Sequence, residues 1–136
     1  MVETKKYLLY VDDDPDDQLM LVEAVREISA DVRVACAMNG VEALRYLNRA
    51  GTDASERPAL ILMDINMPLM NGMEALAKLK SDPVLRAIPV VMFTTSSSAD
   101  HRNRCLQLGA ADFLTKPFER AALQQIVKRC LTFIGA

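Results

Sequence analysis

The strongest constraint on this chain is an alternation repeated five times. A short apolar run meets a polar stop, and a stretch with apolar residues at helical spacing follows. The runs fall at residues 7–11, 32–36, 59–63, 90–93 and 112–115. Residues 7–11 (Tyr-Leu-Leu-Tyr-Val) and 59–63 (Ala-Leu-Ile-Leu-Met) are apolar at every position. A strand that is apolar on both faces belongs in a parallel sheet covered by helices on each side. Right-handed crossovers between parallel neighbours then give a doubly wound α/β fold with a five-stranded parallel sheet. A chain of 136 residues suits one such domain, and residues 1–136 are read as one.

The helix boundaries carry their own signals. Asp14, Pro15, Asp16 and Asp17 read as an N-cap, a first helical residue and first-turn acids that complement the helix dipole. Leu19, Val22, Val25 and Ile28 then recur at helical spacing. Asn39-Gly40 reads as a turn before a short helix with Val41, Leu44 and Leu47, and Gly51 is placed to end it. Residues 51–58 are polar, with Gly and Pro, and read as a loop. Pro68 and Asn71-Gly72 mark a loop that turns into a helix with Leu76 and Leu79 on its inner face; Ser81-Asp82-Pro83 stops it. Further helices are expected from about residue 99 to 108, ending at Gly109, and over 119–134. The last carries Leu123, Ile126, Val127, Cys130, Phe133 and Ile134 in one stripe, most of which should cover the sheet. Phe133 and Ile134, near its end, are expected to be exposed and to offer contact for a homodimer.

Several function classes fit poorly. The formal net charge is −2, so there is no bulk positive field to hold a nucleic acid. No apolar run approaches the roughly 20 residues needed to span a bilayer. The first residues, MVETKK, show no signal-peptide pattern. Cys36, Cys105 and Cys130 are far apart and match no zinc spacing. A reducing, cytoplasmic setting is the expectation. Met63, Met67, Met70 and Met73 read as packing and loop anchors, and His101, the single histidine, as an exposed helix residue.

The polar stops carry the chemistry. The first run ends in Asp12 and Asp13, the third in Asp64, the fourth in Thr94 and the fifth in Thr115-Lys116. In doubly wound sheets, ligands bind beyond the carboxyl ends of the strands, where the strand order reverses. With strand order 2-1-3-4-5, the first and third strands are neighbours. Asp12, Asp13 and Asp64 then converge, with Thr94 and Lys116 facing them. Three crowded carboxylates repel one another unless a cation sits among them, and an incomplete cage of hard oxygens suits Mg²⁺. A hydroxyl and an ammonium beside that ion make a site shaped for phosphate. Asp64, after the most apolar run, is the candidate nucleophile for an aspartyl-phosphate.

The segments VDDD at 11–14, MDINMPLMNG at 63–72, FTT at 93–95 and KPF at 116–118 resemble the receiver domain of two-component response regulators, the CheY-like family. The resemblance covers nearly the whole chain. It implies the flavodoxin-like strand order 2-1-3-4-5, with Asp64 as phosphoacceptor. It implies Mg²⁺ held directly by Asp13 and Asp64, through water by Asp12, and by the main-chain carbonyl of Asn66. It makes Thr94 the switch hydroxyl, Lys116 its cationic partner, Phe113 the aromatic switch and Lys116–Pro117 a cis peptide. Asn66 and Ser96 fall where the family tunes dephosphorylation, and Thr95 is bulkier than many receivers carry there.

The resemblance also implies a sensor histidine kinase as phosphodonor and a changed face of the fourth helix, fifth strand and fifth helix as output. The loop at 51–58 and the lack of an output domain resemble small stand-alone regulators paired with phytochrome-type kinases. Two other readings stand beside this one. The first is a receiver-fold interaction module that is never phosphorylated. The second is an aspartate-nucleophile phosphatase, which Asn66 disfavours because such enzymes place an acid there.

Overall fold

Five all-parallel strands form one sheet in the order β2-β1-β3-β4-β5. They are β1 Tyr7–Val11, β2 Arg33–Ala37, β3 Leu60–Met63, β4 Val90–Thr94 and β5 Asp112–Thr115. Among the described residues five α-helices connect and follow them: α1 Pro15–Ile28, α2 Gly40–Ala50, α3 Gly72–Ser81, α4 Ala99–Gln107 and α5 Arg120–Ile134. The computed structural model describes residues 6–50 and 56–134. The expected end of α2 at Gly51 and most of the loop at 51–58 lie outside the described residues.

Burial follows strand position. β1, β3 and β4 are buried at every residue, as expected for strands with neighbours on both sides and helices on both faces. β2, at one edge, is buried only at Ala37. Alternate side chains feed two separate cores. Leu9, Val11, Ile61, Met63, Val90 and Met92 pack on the side that holds α2, α3 and Phe113. Leu8, Tyr10, Leu60, Leu62, Val91 and Phe93 pack against α1 and α5. Met67, Met70 and Met73 pack against the first core, which bears out their reading as anchors.

Local chemistry sets the helix starts. Asp14 caps α1, its carboxylate accepting from the Asp16 and Asp17 amides. Asn71 and Glu74 form a reciprocal capping box at α3. Asn39-Gly40 is not a free turn: Asn39 Oδ1 accepts from the Glu42 amide and Gly40 opens α2.

Two helix faces differ from expectation. On α1 the buried residues are Leu21, Ala24 and Val25, while Leu19 is 57% exposed. The inward stripe therefore runs through Leu21, Val25 and Ile28, spaced four and three apart, and small Ala24 lets the helix sit close to its neighbours. On α5, Phe133 is exposed as expected, but Ile134 is buried in the α1/α5 core, with its carbonyl accepting from Lys6 Nζ. Among the described residues no helix is long and apolar enough to cross a membrane. Cys105 and Cys130 are buried, whereas Cys36 is exposed on edge strand β2.

Candidate functional site

The sheet ladder places the acids. The Asp12 amide donates to the Ala37 carbonyl and the Asp64 amide to the Val11 carbonyl, so pairing continues one residue past the strands. Asp12 and Asp64 are thereby fixed side by side at the carboxyl edge of β1 and β3. The Lys116 amide donates to the Thr94 carbonyl at 2.7 Å, which brings Lys116 back beside β4. Asp12 and Thr94 are fully buried, Asp64 nearly so, and Asp13 is exposed.

Lys116 binds the group together. Its ammonium lies 2.5 Å from Asp12 Oδ2, 2.9 Å from Asp17 Oδ2 and 3.1 Å from Asp64 Oδ2. An ammonium has three N–H bonds, and each one here finds a carboxylate. The Tyr10 hydroxyl also donates to Asp12 Oδ2, at 2.5 Å, and the Asp14 amide donates to Asp12 Oδ1. Asp64 Oδ1 accepts from the Ile65 amide at 2.7 Å. Thr94 Oγ1 accepts from the Ser96 amide at 3.3 Å, which leaves its own proton available to donate.

The titration shifts reflect this crowding. Burial raises Asp64 above the ordinary carboxylate range, and the attraction of Lys116 offsets only part of that. Burial would lower Lys116, but hydrogen bonds to Asp12 and Asp17 and the charge of Asp64 outweigh it, so Lys116 is raised. Burial, reinforced by Asp12, holds the Tyr10 phenol far above its usual range, making it a permanent donor.

Asp12, Asp13 and Asp64 can each present a carboxylate oxygen, all within 4.8 Å of one another. With Asp17 there are four carboxylates against one ammonium. An excess of hard oxygen ligands at one point fits a divalent cation such as Mg²⁺.

The β3–α3 loop backs the site. The Gly72 amide donates to the Ile65 carbonyl, and a Cβ on Gly72 would stand 2.0 Å from the Asp64 carbonyl oxygen. Only glycine lets α3 start so close behind Asp64. Leu69, in the same loop, is 83% exposed and has φ of 67°, the left-handed region.

The structure brings Asp12, Asp13, Asp64 and Lys116 together. Thr94 ends β4 beside them, and Asn66 is exposed in the loop after Asp64. Phe113 is buried against the α4 side of the sheet. Thr95 is exposed. His101 is half-buried rather than free, because its Nδ1 hydrogen-bonds Ser96 Oγ at 2.8 Å. The Lys116–Pro117 bond is trans, against the expected cis form; no cis peptide occurs among the described residues. Trans is the intrinsically preferred isomer even before proline, and Lys116 reaches all three carboxylates with it.

Sequence reasoning missed three contributors. Tyr10 read only as strand, although a phenol in a strand buried at every residue was a signal, since its hydroxyl must find a partner. Asp17 read as a helix-dipole partner, and nothing local shows that it meets Lys116. Gln18 Nε2 donates to the carbonyls of Asp12 and Ala37, tying α1 to the ends of β1 and β2.

The response regulator receiver domain family matches residues 8–128 of the chain. The chain belongs to this family. Response regulator Rcp1 of Synechocystis is 35% identical over 82% of this chain and 76% of Rcp1. The structure of the phosphorylated cyanobacterial phytochrome response regulator RcpA superimposes with a TM-score of 0.84 at 37% identity, covering 94% of this chain and 92% of that one. The Mn²⁺-bound form of Rcp1 superimposes with a TM-score of 0.81 at 34% identity, covering 95% and 94%. This receiver therefore carries the CheY-like fold of two-component signalling, and the solved structures it resembles include a cyanobacterial phytochrome response regulator. Receivers are signalling proteins rather than conventional enzymes.

Proposed function

We propose that this receiver is a stand-alone response regulator, a single domain acting in the cytoplasm, that accepts a phosphoryl group on Asp64 from a sensor histidine kinase. The observation that supports it most is the contact of Asp64 Oδ2 with the Lys116 ammonium beside Asp12 and Asp13. Transfer forms a bond from an Asp64 carboxylate oxygen to phosphorus and breaks the bond from phosphorus to the kinase histidine. Lys116, raised and so always charged, neutralises the incoming oxygens, and the Thr94 hydroxyl donates to one of them. The ladder bonds that pin Asp12 and Asp64 keep the acceptor in line without reorganisation. Asp12, Asp13 and Asp64, with the Asn66 carbonyl, are the residues to hold Mg²⁺, which when bound supplies positive charge against the transferring oxygens.

The new negative charge then biases Thr94, Phe113 and the face of α4, β5 and α5 toward a second arrangement. Exposed Leu19 and Met20 on α1 lie two and three residues after Asp17, exposed Phe118 lies two after Lys116, and all three offer apolar surface to a kinase. The likeness to RcpA and Rcp1 supports a phytochrome-type kinase as partner. Phe133, exposed on α5, supports a homodimer through the C-terminal region.

The test is labelling with acetyl phosphate at millimolar Mg²⁺, read by intact mass. Wild type gains one phosphoryl group that alkaline hydroxylamine removes, and Asp64→Asn gains none. A wild type that stays unlabelled overturns the reading in favour of a receiver-fold interaction module.

A further inference from the structure

The feature that the phosphoacceptor reading leaves unused is Asp17. It lies in the first turn of α1, where its amide already meets the Asp14 cap. A residue serving only the helix dipole would point its carboxylate at solvent. Instead Asp17 Oδ2 takes a hydrogen bond from Lys116 at 2.9 Å, closer than Asp64 at 3.1 Å.

Depth separates the three acceptors. The side chains of Asp12, Asp64 and Asp17 are 0%, 10% and 35% exposed. Asp12 thus holds the ammonium from the floor of the site, and Asp17 holds it from the rim. Lys116 is spread over three carboxylates, and only its longest contact is made with the nucleophile.

We propose that Asp17 is a positioning residue for Lys116: it draws the ammonium toward the rim and limits how far Lys116 neutralises Asp12 and Asp64. This deepens the proposed function and rests on the Mg²⁺-assisted site. Without Asp17, the carboxylates left within reach of the freed N–H are Asp12 and Asp64. Lys116 then pairs fully with the carboxylates that a divalent cation needs, and the two cations compete. Mg²⁺ affinity falls for that reason, beyond the simple loss of one nearby negative charge.

The test has two parts. Side-chain ¹⁵N NMR of the metal-free protein follows the Lys116 ammonium, whose protons exchange slowly only while they are held by acceptors. The signal is expected in wild type, retained in Asp17→Asn, which keeps an acceptor oxygen, and shifted or broadened in Asp17→Ala. Titration calorimetry with Mg²⁺ then compares Asp17→Ala in the wild-type and Lys116→Met backgrounds. The loss expected in wild type is about tenfold, as for other residues that orient metal ligands. In Lys116→Met the loss is smaller, because only the through-space charge remains.

An unchanged Lys116 signal in Asp17→Ala overturns the inference. So does an equal loss of affinity in both backgrounds. Should wild type bind no Mg²⁺, the metal reading falls, while the Lys116 signal still decides whether Asp17 positions the ammonium.

Discussion

The Tyr10 hydroxyl donates to Asp12 Oδ2 across 2.5 Å, and neither residue is reached by solvent. Phenylalanine in its place keeps the ring that packs at 6.2 Å from Phe93 and removes only the donor. A buried carboxylate that loses a hydrogen bond pays for it in stability. Tyr10→Phe is expected to cost about 1.5–3 kcal/mol, the usual range for hydrogen bonds to charged groups. Urea unfolding of the metal-free proteins at neutral pH measures it, and equal midpoints would show that the bond contributes nothing.

Asp64 is held above its ordinary pKa by burial. For an acid with a raised folded-state pKa, the ionised form is destabilising. That cost is present above the folded pKa and disappears as pH falls below the unfolded one, about 3.9. Without metal, Asp64→Asn therefore melts a few degrees above wild type at pH 7, and the gap closes as acid protonates Asp64. Saturating Mg²⁺ reverses the order, since it stabilises only a folded site that binds it. Scanning calorimetry with and without Mg²⁺ reads both effects.

Gly72 has no room for a side chain. An added Cβ would sit 2.0 Å from the Asp64 carbonyl oxygen, which is main chain and cannot swing aside. Gly72→Ala is expected to destabilise by about 3 kcal/mol or more, through displacement of α3 or of the Asp64 main chain. Denaturant titration gives the cost. A variant as stable as wild type would show that α3 can shift without penalty.

Leu69 poses the opposite case. Its φ of 67° strains a branched side chain, and at 83% exposure that side chain gains little from packing. Asparagine tolerates the left-handed region better, so Leu69→Asn should stabilise by about 0.5–1 kcal/mol. Loss of stability in the same denaturant titration would mean that Leu69 is worth more than its backbone costs.

The strands, the helices and the main acids were legible because each rests on a local pattern, whereas the strand order followed from the resemblance to receiver domains. Apolar runs mark the buried strands, and Asp14 and Asn71 mark helix starts. Asp12, Asp13, Asp64 and Lys116 were legible because each follows a strand, and the topology gathers strand ends. Asp17 and Tyr10 were not, since their roles depend on where a side-chain tip arrives across 99 residues of sequence in one case and on a buried donor in the other. The phase of α1 was misjudged at Leu19 because several apolar spacings fit one helix, and packing chose Leu21. Ile134 is covered because α5 lies along α1 to its end, a tertiary fact.

The three thiols differ in a way that experimenters can exploit. Cys105 and Cys130 are sealed inside, the latter pushed up to about 12 by burial, while Cys36 looks outward from the edge strand. Burial raises Cys36 too, so mildly alkaline buffer favours its reaction. One maleimide dye would then attach at a single place. That place is paired in register with Tyr10, two residues from Asp12, so the molecule comes with a built-in mounting point for watching its own signalling in real time.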